Sequence, residues 1–274
     1  MARYQLSALT AILLVVALSA TANAGTILFE SLQDGSLPAT LTLADTSPAR
    51  TVTFDTAGAS FATPDNDSRN YLRTADTDYS TTSVMAYITM TTQLGTSWLN
   101  DSQLFFGIGT GAVGEYGVAD RKSEYGVYLV MNNENANGMS IGQMTPSGEA
   151  DLATAGYSAI ADTTQITDTA VKMIYDATAG TIAFDVDYDY AGDATYAVFT
   201  ADQSIGPVSI GQGVLDDWAA SGASSIVFGG DAGDPETGRP GVMTLSNVLI
   251  TPEPQSVVLL VSALAALAFW RRRQ

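Results

Sequence analysis

The chain has 274 residues, 29 acidic against 11 basic for a net charge of −18, and neither histidine nor cysteine. Without cysteine there is no disulfide framework and no thiolate nucleophile, and without histidine no Ser-His-Asp triad and no imidazole base. Such an acidic surface repels phosphate backbones, which argues against nucleic acid as a partner.

At the N-terminus, Arg3 is followed by an apolar run over residues 6–18, then by Ala22-Asn23-Ala24 before Gly25. A positive start, an apolar stretch too short to span a membrane and small residues at Ala22 and Ala24 describe a secretory signal peptide. Residues 1–24 are therefore expected to be removed by signal peptidase, and the exported chain to begin at Gly25.

Setting aside Arg3, Glu253 and the three terminal arginines leaves 28 acids and 7 bases in residues 25–251, a net charge of −21. Within that region, period-two alternation predicts strands. It runs through Leu37 to Leu43, Val52 and Phe54, Val84 to Met90, Tyr125 to Met131 and Val171 to Tyr175. Residues 104–108 form a continuous apolar run, the mark of a strand buried on both faces. Ile182, Phe184, Val186, Tyr188 and Tyr190 alternate with Asp185, Asp187 and Asp189, predicting one strand with a solvated acidic face. Residues 196–199, 226–228 and 242–250 complete the expected strands. Only residues 213–220 carry a helical pattern, with Val214, Leu215 and Trp218 on one side. Many short strands without helical crossovers imply an all-β fold: a single two-sheet antiparallel sandwich of jelly-roll type over residues 25–251.

Three motifs carry no chemistry. Gly109 to Gly114 satisfies the dinucleotide pattern, but a glycine-rich loop follows rather than a helix to receive pyrophosphate. Gly138-Met139-Ser140-Ile141-Gly142 matches a nucleophile elbow that has no histidine to serve it. Glu149-Ala150-Asp151 begins the Glu-x-Asp-x-x-Glu spacing of a glycosidase strand, but Thr154 stands at the last acidic position. Enzymatic function is therefore not expected, though an unrecognised carboxylate pair in a glycan-processing enzyme is the alternative. No cofactor is indicated apart from calcium, for which the best candidates are Asp231, Asp234 and Glu236 in a glycine-rich loop able to add backbone carbonyls. Asp65 and Asp67 form a weaker candidate. Asp185, Asp187, Asp189 and Asp193 lack the glycine and glutamate of a calcium-binding helix–loop–helix, and parallel side chains on a strand do not wrap an ion.

The C-terminus reads Pro252-Glu253-Pro254, an apolar stretch over residues 257–270, then Arg271, Arg272 and Arg273. As a helix, residues 256–270 would span about 22 Å, less than a typical ~30 Å hydrocarbon core. Arginines beside Phe269 and Trp270 would hold that end in the cytoplasm. Residues 252–274 resemble the PEP-CTERM sorting signal of Gram-negative bacteria, with Thr251 where valine is usual. The resemblance implies a transient stay in the inner membrane, processing by an exosortase, and delivery to the cell surface or the extracellular matrix beside exopolysaccharide.

Residues 70–74 with 76–79, 104–109, 172–176 with 180–182, and 245–250 are similar to segments of concanavalin A-like jelly rolls. Together the two resemblances imply an exported, lectin-like surface or matrix protein. Calcium-assisted carbohydrate binding through loop acids and exposed aromatics such as Trp98, Tyr116 or Trp218 is a second reading.

Overall fold

The computed structural model describes residues 28–45, 51–62, 70–75, 79–94, 103–110, 125–132, 138–156, 168–222, 224–231, 233–234 and 239–252. In chain order the strands are β1 (Leu28–Ser31), β2 (Leu41–Asp45), β3 (Thr51–Phe54), β4 (Ala59–Ala62), β5 (Asn70–Thr74) and β6 (Val84–Leu94). They continue with β7 (Gln103–Gly109), β8 (Gly126–Asn132), β9 (Gly138–Thr145), β10 (Gly148–Gly156), β11 (Thr169–Asp176) and β12 (Thr181–Asp187). After β13 (Gln203–Ser209) comes the helix α1 (Gln212–Ser221), followed by β14 (Ser225–Asp231), β15 (Gly233–Asp234) and β16 (Arg239–Pro252).

The strands form two sheets in which every pairing is antiparallel. One sheet runs β13-β12-β11-β6-β16-β4-β3, with β1 and β15 also on β16; the other runs β10-β9-β8-β7-β14-β5-β2. The alternating residues of the sequence are what the sheets bury between them. Ala86, Ile88 and Met90 of β6, Val171 and Met173 of β11 and Phe184 of β12 face Leu104, Phe106 and Ile108 of β7 and Leu129 of β8 in one core. Phe106 and Phe184 meet edge-on across it, their ring centroids 6.0 Å apart. At one side the sheets are joined where Gln203 donates its Nε2–H to the carbonyl of Gly156, 2.7 Å away.

The helix expected over residues 213–220 is α1, which closes one end of the sandwich. Val214 and Trp218, four apart and so on one face, are its buried residues. Trp218 packs edge-on against Tyr175 of β11 at 5.8 Å and donates its indole N–H to the carbonyl of Tyr125 beside β8. Gly222, left-handed at φ 58°, ends the helix by donating its N–H to the Trp218 carbonyl.

Three expected strands are corrected: the one expected from Leu37 to Leu43 begins only at Leu41, residues 37–40 being loop and turn, and two more fail later in the chain. The run that alternates through Tyr190 stops at Asp187, and residues 196–199 are turn rather than strand, with Tyr196 at φ 55°. The reason is a second apolar site outside the core. Tyr190, Tyr196 and Phe199 leave the ladder to pack on Tyr87, Ala170 and Leu249 on the outward face of the β6 sheet. Tyr196 stacks between Tyr87, at 4.8 Å, and Tyr190, at 5.5 Å, and its hydroxyl donates to the Asn247 carbonyl while accepting from Thr89. Strands β1, β10 and β13 carry too little alternation to be read in advance.

No helix among the described residues is long and apolar enough to cross a membrane. The expected signal peptide with Ala22, Ala24 and Gly25, and the tail from Glu253 and Pro254 to Arg271, Arg272 and Arg273, lie outside the described residues.

Candidate functional site

The departure of the chain from β12 also builds an acidic cleft. As β12 ends, the turn at Tyr188 and Asp189 sends the chain over the sheet, and it returns through Thr200 and Asp202 to begin β13. Three hydrogen bonds tie the departing and returning arms. Asp187 Oδ2 accepts the Thr200 N–H at 2.9 Å, Asp202 Oδ2 accepts the Tyr188 N–H at 2.8 Å, and the Asp202 N–H reaches the Val186 carbonyl at 2.9 Å. The result brings one carboxylate oxygen from each of Asp187, Asp189 and Asp202 within 4.8 Å of the others.

These acids line a cleft of about 300 Å³ together with Tyr190, Ala191, Val198 and Thr200. Asp187 lies at its floor, only 5 % exposed, while Asp189 and Asp202 are open to solvent. Loss of solvent is the main cause that pushes the Asp187 carboxyl above its ordinary range. The Thr200 N–H opposes that shift, and the neighbouring charges of Asp202 and Asp189 reinforce it. Burial, then the charge of Asp202, likewise raises the Tyr188 hydroxyl. Lys172 does not relieve the cluster, because its ammonium pairs with Asp185 at 2.5 Å and lies 5.2 Å from the Phe199 ring centroid.

The four aspartates read as one solvated face therefore separate. Asp185 pairs with Lys172 and accepts from the Ser204 hydroxyl at 2.6 Å. Asp187 and Asp189 converge with Asp202. Asp193 accepts from the Thr195 N–H and hydroxyl, and these bonds hold its carboxyl below the usual range. A strict period-two reading places Asp187 and Asp189 side by side on a strand; the turn at Asp189 removes that constraint. Asp202 carried no signal, being fifteen residues along the chain from Asp187 and isolated in sequence.

Of the expected calcium loop, Asp231 ends β14 and Asp234 ends β15, while Glu236 lies outside the described residues, as do Asp65 and Asp67. Trp98 and Tyr116 are also outside them, and Trp218 is in the core. Asp151 is exposed on the edge strand β10 and Ser140 sits within β9, where the nucleophile elbow was discounted.

Three carboxylate oxygens in this arrangement suit a hard divalent cation. Calcium takes oxygen ligands at about 2.4 Å, so two ligands on opposite sides of one ion stand about 4.8 Å apart. The triad spacing is compatible with that sphere, and calcium's six to eight positions would leave several for water, carbonyls or ligand hydroxyls.

No family model and no curated protein sequence matches the chain. Solved structures do match it in fold. Arcelin-5, a lectin-like defense protein from Phaseolus vulgaris, superposes with a TM-score of 0.54 at 11 % identity, over 84 % of this chain and 99 % of that one. Lectin II from Ulex europaeus gives 0.54 at 10 % identity, over 83 % and 98 %. The exoplasmic/lumenal domain of VIP36, in a Ca²⁺- and Man3GlcNAc-bound form, gives 0.51 at 10 % identity, over 83 % and 88 %. The fold is thus a legume lectin-like β-sandwich of the concanavalin A type.

Proposed function

We propose that this is an exported, non-enzymatic carbohydrate-binding protein whose lectin-like sandwich holds calcium at Asp187, Asp189 and Asp202. The observation that carries the reading is the convergence of these three carboxylates in one cleft, one of them buried and above its ordinary pKa. Such a cluster accumulates negative charge that a divalent cation relieves, and a bound cation offers open coordination positions to vicinal sugar hydroxyls. The cation also answers a problem of charge: a domain of net −21 is repelled by anionic polysaccharide unless divalent ions bridge the two. Lectin-like neighbours, one of them with Ca²⁺ and an oligosaccharide bound, support the same reading.

The tail supplies the destination. Recognition of Pro252-Glu253-Pro254 and the arginines by an exosortase would release the domain from the inner membrane to the surface or matrix, where exopolysaccharide is its expected ligand.

Purified domain in millimolar Ca²⁺ should melt at a higher temperature than in sodium at matched ionic strength, and should bind acidic glycans on an array only before chelation. D187N/D202N should abolish the calcium increment and the glycan signal. If D231N/D234N abolishes the increment instead, the cation belongs to the glycine-rich loop. An increment reproduced by sodium would remove the metal from the proposal altogether.

A further inference from the structure

The two ends of the exported domain lie together. Leu28, three residues after Gly25, pairs with Ile250 in the ladder between β1 and β16. On the other side of β16, Pro252 pairs with Val84, and Val84 with Tyr175 of β11. The chain thus enters and leaves at one pole, the pole closed by α1, whose Trp218 packs on Tyr175. The turn after Asp176 belongs to the same pole, since Ser83 accepts the Ala177 N–H there.

The ladder continues through Pro252, so little chain separates the fold from the apolar tail. Residues 253–256 span at most about 14 Å when fully extended. A connection of that length keeps the pole where the chain leaves within about 14 Å of the apolar stretch. Asp187 lies six residues up β12 from Thr181, which pairs with Asp176 at the α1 pole, about 20 Å along the strand.

We propose that, while the tail anchors the protein, the α1 pole faces the lipid surface and the Asp187–Asp189–Asp202 cleft stands about 20 Å above it, clear of the headgroups. This rests on reading residues 256–270 as a membrane anchor. The consequence is that the cleft is open to a glycan before the tail is removed, so ligand capture need not wait for release.

Because the chain has no cysteine, single substitutions place a probe cleanly. Thr178→Cys in the β11–β12 turn and Ala219→Cys on α1 mark the pole, and Val198→Cys, 65 % exposed, marks the cleft. Each variant of the tail-bearing protein is labelled with a fluorophore and placed in phosphatidylcholine vesicles containing headgroup-spin-labelled lipid. Vesicle flotation is measured on the same samples, and thermal melts show that each variant is folded. Quenching at 178 and 219 should exceed that at 198 several-fold. Equal quenching, stronger quenching at 198, or none at any position in protein that floats would overturn the orientation. Protein that does not float would overturn the anchor reading, and the orientation with it.

Discussion

Asp187 concentrates the electrostatics of the cleft in one carboxyl. Its folded-state pKa is raised by burial and by Asp202 and Asp189, against the Thr200 N–H. Between the ordinary carboxylate value and that raised value the folded protein holds more protons than the unfolded chain, so this group makes stability fall as pH rises. Without calcium, wild type should therefore gain stability relative to D187N as pH is lowered from neutrality through that window. Paired urea unfolding curves in chelator at several pH values measure the difference. A difference independent of pH, or growing as pH rises, would refute the assignment. In calcium the slope should reverse, because protons and cation then compete for the same oxygens and the ion's contribution disappears as pH falls. At the alkaline end the buried tyrosines behave alike. Burial and the Asp176 charge take Tyr175 up to about 12, so stability should fall as pH climbs above the ordinary tyrosine value.

At the scale of elements, helix α1 and the glycines of β7 and β8 make separable demands. Truncating Trp218 to alanine removes the largest fully buried side chain among the described residues and its bond to the Tyr125 carbonyl, and should cost about 3–5 kcal/mol in chemical unfolding. Tyr128, on the outward face of the second sheet, lies over Gly107, Gly109 and Gly126. A Cβ at Gly109 would overlap the Tyr128 hydroxyl, whereas one at Gly107 would overlap the backbone carbonyl of Val127. Both G107A and G109A should destabilise by about 1–3 kcal/mol, and Y128F should recover part of the loss for G109A alone. Equal rescue of both would show that backbone adjustment, not the hydroxyl, decides the cost. These elements also mark how far the sequence could be read. Strands β6, β7, β8 and β11 bury one strictly alternating face, or both, so period and composition announced them, as the Val214–Trp218 spacing announced α1. Strand β10, rich in Ala and Gly with Leu152 its one large apolar residue, and β13, mostly exposed, hold their places by pairing with neighbours and carry little signal of their own. The acid triad was hidden for a related reason. Its geometry comes from Tyr190, Tyr196 and Phe199 packing outside the core, an interaction that period-two reading assigns to strand.

For the whole molecule, the junction between fold and tail is the telling feature. Strand β16 is flanked by β6 on one side and by β1 and β4 on the other, and its pairing with β6 runs through Thr251–Met85 to Pro252–Val84. The proline-rich motif thus begins where the ladder ends. A cut at or after Pro252 leaves every β6–β16 pair intact, whereas a cut a few residues earlier would strip the end of a central strand. Proline donates no backbone hydrogen bond, which suits a position where the ladder must stop and an extended chain must begin. If the tail is a sorting signal, mass spectrometry of surface-fraction protein should find a chain starting at Gly25 and ending at Pro252 or within the next few residues. Surface protein that retains Gln274 would show that the tail is a lasting anchor. Replacing Arg271, Arg272 and Arg273 with alanine should shift the balance toward unprocessed or prematurely released protein by weakening the hold of the cytoplasmic side on a short span. The fold itself should be untouched, since the triple variant changes nothing within residues 28–252. An identical calcium increment in its thermal melt would separate the proposed sorting role of the tail from the proposed binding role of the sandwich.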